Sequence, residues 1–250
     1  MKISKHICFF YNVERIKYIN KIIQETNKYE YQTDIFVHTD NKDLSLSSFD
    51  EYKNGLFKIV AHDLTNCHNY QLTWKCRDLL KTQQDDYEIF MYIEDDILVK
   101  FDAIKYWIEY SDKVLKHNYN LGFLRIETSE DDEYVVDIPK GKNLTKRLVL
   151  DNQAYAVNDI NPYCAFWIYN KQEFKRFVSS KFYNFIGIDK YEMREKSAIG
   201  LNGLGMNWYE GTLLPVKEDK LLTECKIYHM PNNYIGHSKF STIKFDDAIG

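Results

Sequence analysis

The stretch Tyr87-Glu-Ile-Phe-Met-Tyr-Ile-Glu94-Asp95-Asp96-Ile-Leu-Val99 decides the fold. Tyr87 to Ile93 is nearly all apolar, and a continuous apolar run describes a strand covered on both faces at the centre of a sheet. That strand ends in three consecutive carboxylates. Period-2 alternation sends Glu94 and Asp96 to one side and Asp95 to the other. Ligand sites of open α/β sheets lie at the carboxyl ends of strands, and hard divalent cations take carboxylate oxygen with phosphate and water completing the shell. A solvated acidic turn that caps the next helix is the plainer alternative.

Working outward, short apolar runs alternate with helix-period segments, the pattern of strand-helix-strand units and a largely parallel sheet. His6 to Tyr11 reads as a strand, followed by a helix from Glu14 to Asn27 with Ile16, Ile19, Ile22 and Ile23 on one face. Thr33 to His38 and Leu56 to Val60 are further strands, and Gln71 to Leu80 is a helix striped by Leu72, Cys76, Leu79 and Leu80. Beyond the triplet, Ala103 to Lys116 is helical. Leu121 to Glu127, Tyr134 to Ile138, Asn161 to Tyr169, Thr212 to Val216 and Lys226 to His229 read as strands, with helices over Gln172 to Val178 and Tyr191 to Ile199.

The 250 residues, 44% hydrophobic and 16% aromatic, suffice for a sizeable core, which excludes a disordered chain. With 33 Lys+Arg against 37 Asp+Glu, the net charge of −4 argues against nucleic acid as a partner. Five scattered cysteines without a C-x-x-C pair form neither a zinc pattern nor a disulfide framework and read as reduced thiols. The apolar run from Ile7 is only about five residues, too short for a signal-peptide core or a membrane span. A cytoplasmic chain without a transmembrane segment is expected, in the host cytoplasm if the AT-rich codon usage implied by its Lys, Asn, Ile and Tyr content is viral. No linker or repeat divides it, so one domain over 1–250 is expected.

The acidic triplet after an apolar strand resembles the D-x-D motif of nucleotide-sugar-dependent glycosyltransferases of the GT-A fold, here Glu94-Asp95-Asp96. HNYQLTWKCRDLL (68–80), LGFLRIE (121–127), NPYCAFWIYNKQEF (161–174), MREKSAIGLNG (193–203) and IYHMPNNYIGH (227–237) extend the likeness over most of the chain. The resemblance implies an α/β, Rossmann-like GT-A domain with a central, mainly parallel mixed sheet flanked by helices. Residues 1–100 would form its nucleotide-binding half and 101–250 its acceptor-binding half. It also implies a hexosyltransferase, moving a hexose or deoxyhexose to a glycan or small acceptor with inversion, and needing Mn²⁺ or Mg²⁺. The donor expected first is a UDP-sugar, with a GDP-sugar as the alternative.

Carried over residue by residue, Asp96 would ligate the cation, Glu94 or Asp95 would face the ribose or the metal's water shell, and His229 would complete the metal site. Tyr11, Asn12, Val13, Thr39 and Asp40, at the ends of the first two strands, would hold the nucleotide. His237, His62 and His68 compete with His229, and any lone histidine is more often a hydrogen-bonded core or surface residue. Arg77 could counter the donor phosphates or sit on a solvated helix face. An inverting transferase needs a carboxylate to take the acceptor's proton. Glu195 matches the family's region best, followed by Glu192 and Asp189, with ordinary helix-surface charge as the plain reading. Arg125 and Glu127 share one strand face, and Trp167 is either a sugar platform or core. Two rivals stand beside this reading: a nucleotidyltransferase, disfavoured because FFYNVERIKYI (9–19) lacks the glycine-rich basic loop, and a non-catalytic sugar-binding module.

Overall fold

The computed structural model describes residues 1–130, 132–184 and 192–250. Its chain begins with strand β1 (Lys2–Phe9), helix α1 (Ile16–Thr26), β2 (Gln32–Thr39), β3 (Phe57–Ala61), α2 (Leu72–Thr82) and β4 (Ile89–Glu94). An excursion follows through β5 (Ile97–Leu98), α3 (Phe101–Leu115), β6 (Asn120–Leu121), β7 (Leu124–Ser129), β8 (Asp132–Val135), β9 (Arg147–Leu150) and β10 (Gln153–Val157). The chain then adds β11 (Phe166–Asn170), α4 (Lys171–Ser179) and α5 (Met193–Ile199), and ends with β12 (Thr212–Lys217), β13 (Lys220–Leu221), β14 (Lys226–His229) and β15 (Ile243–Lys244).

Two compact units result: Met1–Ile97 with Ala165–Gly200, and Leu98–Cys164 with Leu201–Gly250. The first holds a five-stranded sheet in the order β11-β4-β1-β2-β3, with β1, β2, β3 and β4 parallel and β11 antiparallel to β4. This is the mainly parallel α/β sheet that the sequence predicts, and β4 has a partner on each side. Alternation along β1 puts helices on both faces. Lys5 reaches Thr26 of α1, whereas Ser4 and His6 reach Gln83, the residue that ends α2.

The helices attach by the apolar stripes legible in the sequence. Ile19, Ile22 and Ile23 of α1 and Leu72, Cys76 and Leu80 of α2 are buried, each large aliphatic contributing roughly 1.5–3 kcal/mol. Beneath α4, Phe174 stacks on Phe90 of β4 at 4.0 Å between ring centres, and Tyr92 stacks on Trp167 of β11. Helix α5 closes with Gly200 at φ +56°, where a β-carbon would lie 2.3 Å from the Tyr169 hydroxyl, so a residue without a side chain is needed.

In the second unit, β13-β12-β10-β9 are antiparallel neighbours, and β6 adds to β12 in parallel. Another sheet carries β15, β8, β7 and β14 side by side, with β14 parallel to β7. The expected strand Asn161–Tyr169 is shorter than predicted, extended pairing beginning only at Phe166. The hairpin β9–β10 lies where no strand is predicted. Its turn places Asp151 and Asn152 at φ 47° and 65°, the mirror-type turn that matches strand twist. All five cysteines are free thiols.

Candidate active site at the carboxyl end of strand β4

Strand β4 delivers Glu94, Asp95 and Asp96 to its carboxyl end, and all three are buried, at 5%, 2% and 6% exposure. Backbone bonds to both neighbours fix the exit, with Glu94 N–H donating to Ala165 O and Asp95 N–H to Cys8 O. Buried carboxylates need partners, and two arginines supply them. Arg15 grips Asp95 with Nε and Nη2 at 2.6 Å each, and its Nη2 also reaches Asp96 at 2.8 Å. Arg194 of α5 pairs with Glu94 and lies over the rings of Phe10 and Tyr70. Burial pushes Asp95 up to about 6 although the Arg15 hydrogen bonds pull it down, and the Asp96 charge adds to the rise.

Arg15 is absent from the sequence-based candidates. It ends the short 3-10 turn Val13–Arg15, and the Asn12 side chain accepts the Glu14 N–H to start that turn. The signal was a basic residue in the first turn after a core strand, the place where an α/β sheet puts its ligand-binding groups. Arg194, likewise absent from those candidates, adjoins the expected base Glu195 in the sequence.

The other expected nucleotide residues fall at neighbouring strand ends. Tyr11 N–H donates to Asp40 Oδ1 at 2.9 Å, tying the exits of β1 and β2 together. Tyr11, Val13 and Asp40 are exposed, whereas Thr39 is buried and its hydroxyl accepts the Asn41 N–H.

Arg77 requires a correction. It is 4% exposed, and its guanidinium donates to the carbonyls of Phe182, Tyr183 and Ser197 while stacking on Trp74 at 4.0 Å. Carbonyls from a remote turn and from α5 have taken the donors expected for phosphate, so Arg77 clamps α2 to those segments. Trp167 is core, 1% exposed, with its indole N–H on Ser197 O.

Glu192 and Glu195 form a capping box on α5. The Glu192 side chain accepts the N–H of Glu195, and the Glu195 carboxylate accepts the Glu192 N–H at 3.4 Å. Both are exposed and serve the helix terminus. Asp189 lies outside the described residues.

Asp96 belongs to the first unit and His229 to the second. In that second unit, Glu127 is fully buried and takes His229 Nδ1 at 2.6 Å, the Tyr234 N–H and the Ser241 hydroxyl. Burial works against the Glu127 charge, yet the bond from His229 and the Tyr234 N–H together hold its carboxyl below the usual range. Because Nδ1 is committed to Glu127, a metal would have to be taken through Nε2, the orientation that carboxylate-backed histidine ligands show. Arg125 forms a two-point ion pair with Asp137, at 2.7 and 2.9 Å. His237 Nδ1 accepts the Lys239 N–H and His68 Nδ1 accepts the Tyr70 N–H, which gives both competitors local structural roles.

Among the described residues no three His, Cys, Asp or Glu side chains are arranged to enclose an ion. A Mg²⁺- or Mn²⁺-type ion on nucleotide phosphates needs only one or two protein carboxylates, because phosphate and water fill the shell. The end of β4 supplies hard oxygen donors of that kind. No helix among the described residues is long and apolar enough to cross a membrane.

No family model matches the chain, nor does any curated protein sequence. Among solved structures it is similar to the crystal structure of S. aureus TarS, with 14% identity and a TM-score of 0.49 over 92% of this chain. It spans 37% of the length of that chain.

Proposed function

We propose that this protein is a metal-dependent, inverting glycosyltransferase that moves a hexose or deoxyhexose from a nucleotide sugar to a hydroxyl of a glycan or small acceptor. The observation that carries the reading is the buried acidic triplet at the carboxyl end of a central parallel strand, faced by Arg15 and Arg194. Acids and cations placed together at a strand exit suit a ligand that brings both a divalent cation and negatively charged phosphates.

In this reading Asp96 would hold Mn²⁺ or Mg²⁺, and Glu94 or Asp95 would face the ribose or the ion's water shell. The exits of β1 and β2, Tyr11 to Val13 with Thr39 and Asp40, take the nucleoside of a UDP- or GDP-sugar. Bound to the donor phosphates, such an ion supplies charge neutralisation to the departing diphosphate. Arg15 and Arg194 add fixed positive charge at the same strand exit. The acceptor oxygen bonds to the anomeric carbon, the bond from that carbon to the diphosphate oxygen breaks, and the hydroxyl proton passes to a carboxylate. Glu195 is the proposed base because α5 carries it next to Arg194, whose guanidinium is anchored on Glu94. Glu192 and Asp189 are its alternates. In the second unit, His229 backed by Glu127 is the proposed imidazole ligand.

The test is thermal stabilisation by UDP-, GDP-, CMP- and dTDP-sugars, with and without Mn²⁺, on the wild type and Asp96→Asn. Ligand binding raises apparent stability as RT ln(1 + [L]/Kd). One nucleotide sugar is expected to stabilise the wild type only with Mn²⁺, and Asp96→Asn should lose that shift while melting at an unchanged temperature alone. Equal metal-dependent shifts in both proteins would refute the assignment.

A further inference from the structure

A line of histidines crosses the sheet of the first unit beneath α2. Ser4 and His6 stand on β1, His38 on β2, and His62 follows β3 directly. The side-chain oxygen of Gln83 lies 3.0 Å from His6 Nε2. His6 Nδ1 is 2.8 Å from His38 Nε2, and His38 Nδ1 is 2.8 Å from His62 Nε2. Successive rings stack with planes 19° and 15° apart. His6 and His38 are completely buried, and His62 is partly exposed.

A neutral imidazole has one N–H and one lone pair, so a chain of three has only two consistent directions. The Gln83 oxygen selects one of them. An amide oxygen only accepts, and it already accepts from the Ser4 hydroxyl at 2.9 Å. The Ser4 oxygen also lies 2.9 Å from His6 Nε2, and with its proton given to Gln83 it offers that nitrogen a lone pair, so His6 donates from Nε2 and its Nδ1 accepts from His38 Nε2–H. The same logic makes His62 donate from Nε2 and carry its lone pair on Nδ1. No described residue bonds that nitrogen. Burial keeps all three rings neutral near pH 7, and for His62 the charge of Lys75 on α2 acts in the same sense against that of Asp78.

The outer end of the chain sits among the strand exits already described, since His62 N–H donates to Thr39 O at 2.8 Å. We propose that His62 Nδ1 reads the donor's nucleobase as a hydrogen-bond acceptor whose direction is set from the core by Gln83, selecting bases that present a ring N–H. Uracil at N3 and guanine at N1 carry that N–H; cytosine at N3 and adenine at N1 carry a lone pair instead. His62 is thus a specificity residue, and Gln83, His6 and His38 are positioning residues. The inference rests on the nucleotide-sugar reading and narrows it to uridine, thymidine or guanosine donors.

Two measurements test it. Long-range ¹H–¹⁵N spectra of the free protein should show the Nε2–H form for His6, His38 and His62; an Nδ1–H form at His62 overturns the inference. Calorimetry with Mn²⁺ and UDP, GDP, CDP or ADP should then show UDP or GDP favoured over CDP and ADP by about tenfold, the scale of one partly exposed hydrogen bond. His62→Leu should erase that preference by weakening the favoured nucleotide alone. Gln83→Glu, which keeps an acceptor, should preserve it, and Gln83→Met should diminish it without touching the nucleotide. Should Gln83→Met not fold, His62→Leu and the spectra decide. Nucleotide binding with no base preference, or with a preference that His62→Leu leaves intact, overturns this inference alone. Binding of no nucleotide at all overturns the donor reading and this inference with it.

Discussion

Two buried polar clusters share the first unit and solve the same problem in opposite ways. At the exit of β4, three carboxylates meet two guanidiniums. Under α2, three imidazoles carry no charge and satisfy one another end to end. Ion pairing suits a strand exit, where the arginines retain 30% and 39% exposure of their side chains and part of their hydration. Neutral chaining suits the sheet interior, where His6 and His38 have no water. The lesson is that the partners within reach, guanidiniums at one site and neutral rings at the other, decide whether a buried titratable group is paired or discharged.

The widest separation between the two clusters should come from acid. Burial lowers His6 from its ordinary 6.5 to about 3, and the Gln83 hydrogen bond only partly offsets this. Between those values the unfolded chain binds a proton at His6 that the folded chain does not, so stability falls as pH drops from 6.5 toward 3. The loss should be on the order of 5 kcal/mol for complete titration of this one group, about 3 of it above pH 4. Urea unfolding of the wild type and His6→Gln from pH 7 to 4 would measure it, and equal slopes would show that the seam is not what acid attacks.

Next in size is the seam itself. His38→Leu removes the central ring and leaves His6 Nδ1 and His62 Nε2 without it, which should cost roughly 2–4 kcal/mol at pH 8. Asp95→Asn, which keeps shape and part of the Arg15 contact and removes a charge that burial disfavours, should cost less, about 1 kcal/mol. A reversed order in denaturant midpoints would break the comparison.

Lys5 sharpens it from a third direction. Its ammonium is buried against Thr26 and the Tyr29 hydroxyl, and burial brings it down from 10.5 to about 7 despite the pull of Glu25. Above pH 7 the unfolded lysine holds a proton that the folded one has released, so the wild type should gain stability from pH 7 to 10. Lys5→Met should flatten that rise and be more stable than the wild type by about 1–2 kcal/mol at pH 6, hydrogen-bond losses included. The last test concerns the more exposed arginine: Arg194→Met takes a charged partner from buried Glu94 and should cost at least about 1 kcal/mol while weakening nucleotide binding.

Much of the first unit was legible because its signals are local. The apolar run 87–93 announced a strand with neighbours on both sides, and the isoleucines of α1 announced its buried face. The triplet's position followed from where that strand had to end. The hairpin 147–157 carries only a weak local signal, Asp151-Asn152 between RLVL and QAYAV, a turn pair that tolerates positive φ. Arg77 departs from its expected role for a different reason. Charge invites a functional reading, yet whether a guanidinium meets phosphate or three backbone carbonyls depends on segments more than a hundred residues away.

By itself, the sequence determined the strands and helices of the first unit up to β4 and the place of the acidic triplet, because periodicity and strand termination act over one or two turns of chain. Tertiary structure alone decided the partners. Arg15 meets Asp95 across 80 residues and His6 meets His38 across 32, because a hydrogen bond is set by the approach of two atoms over about 3 Å and sheet order, not sequence spacing, brings those atoms together.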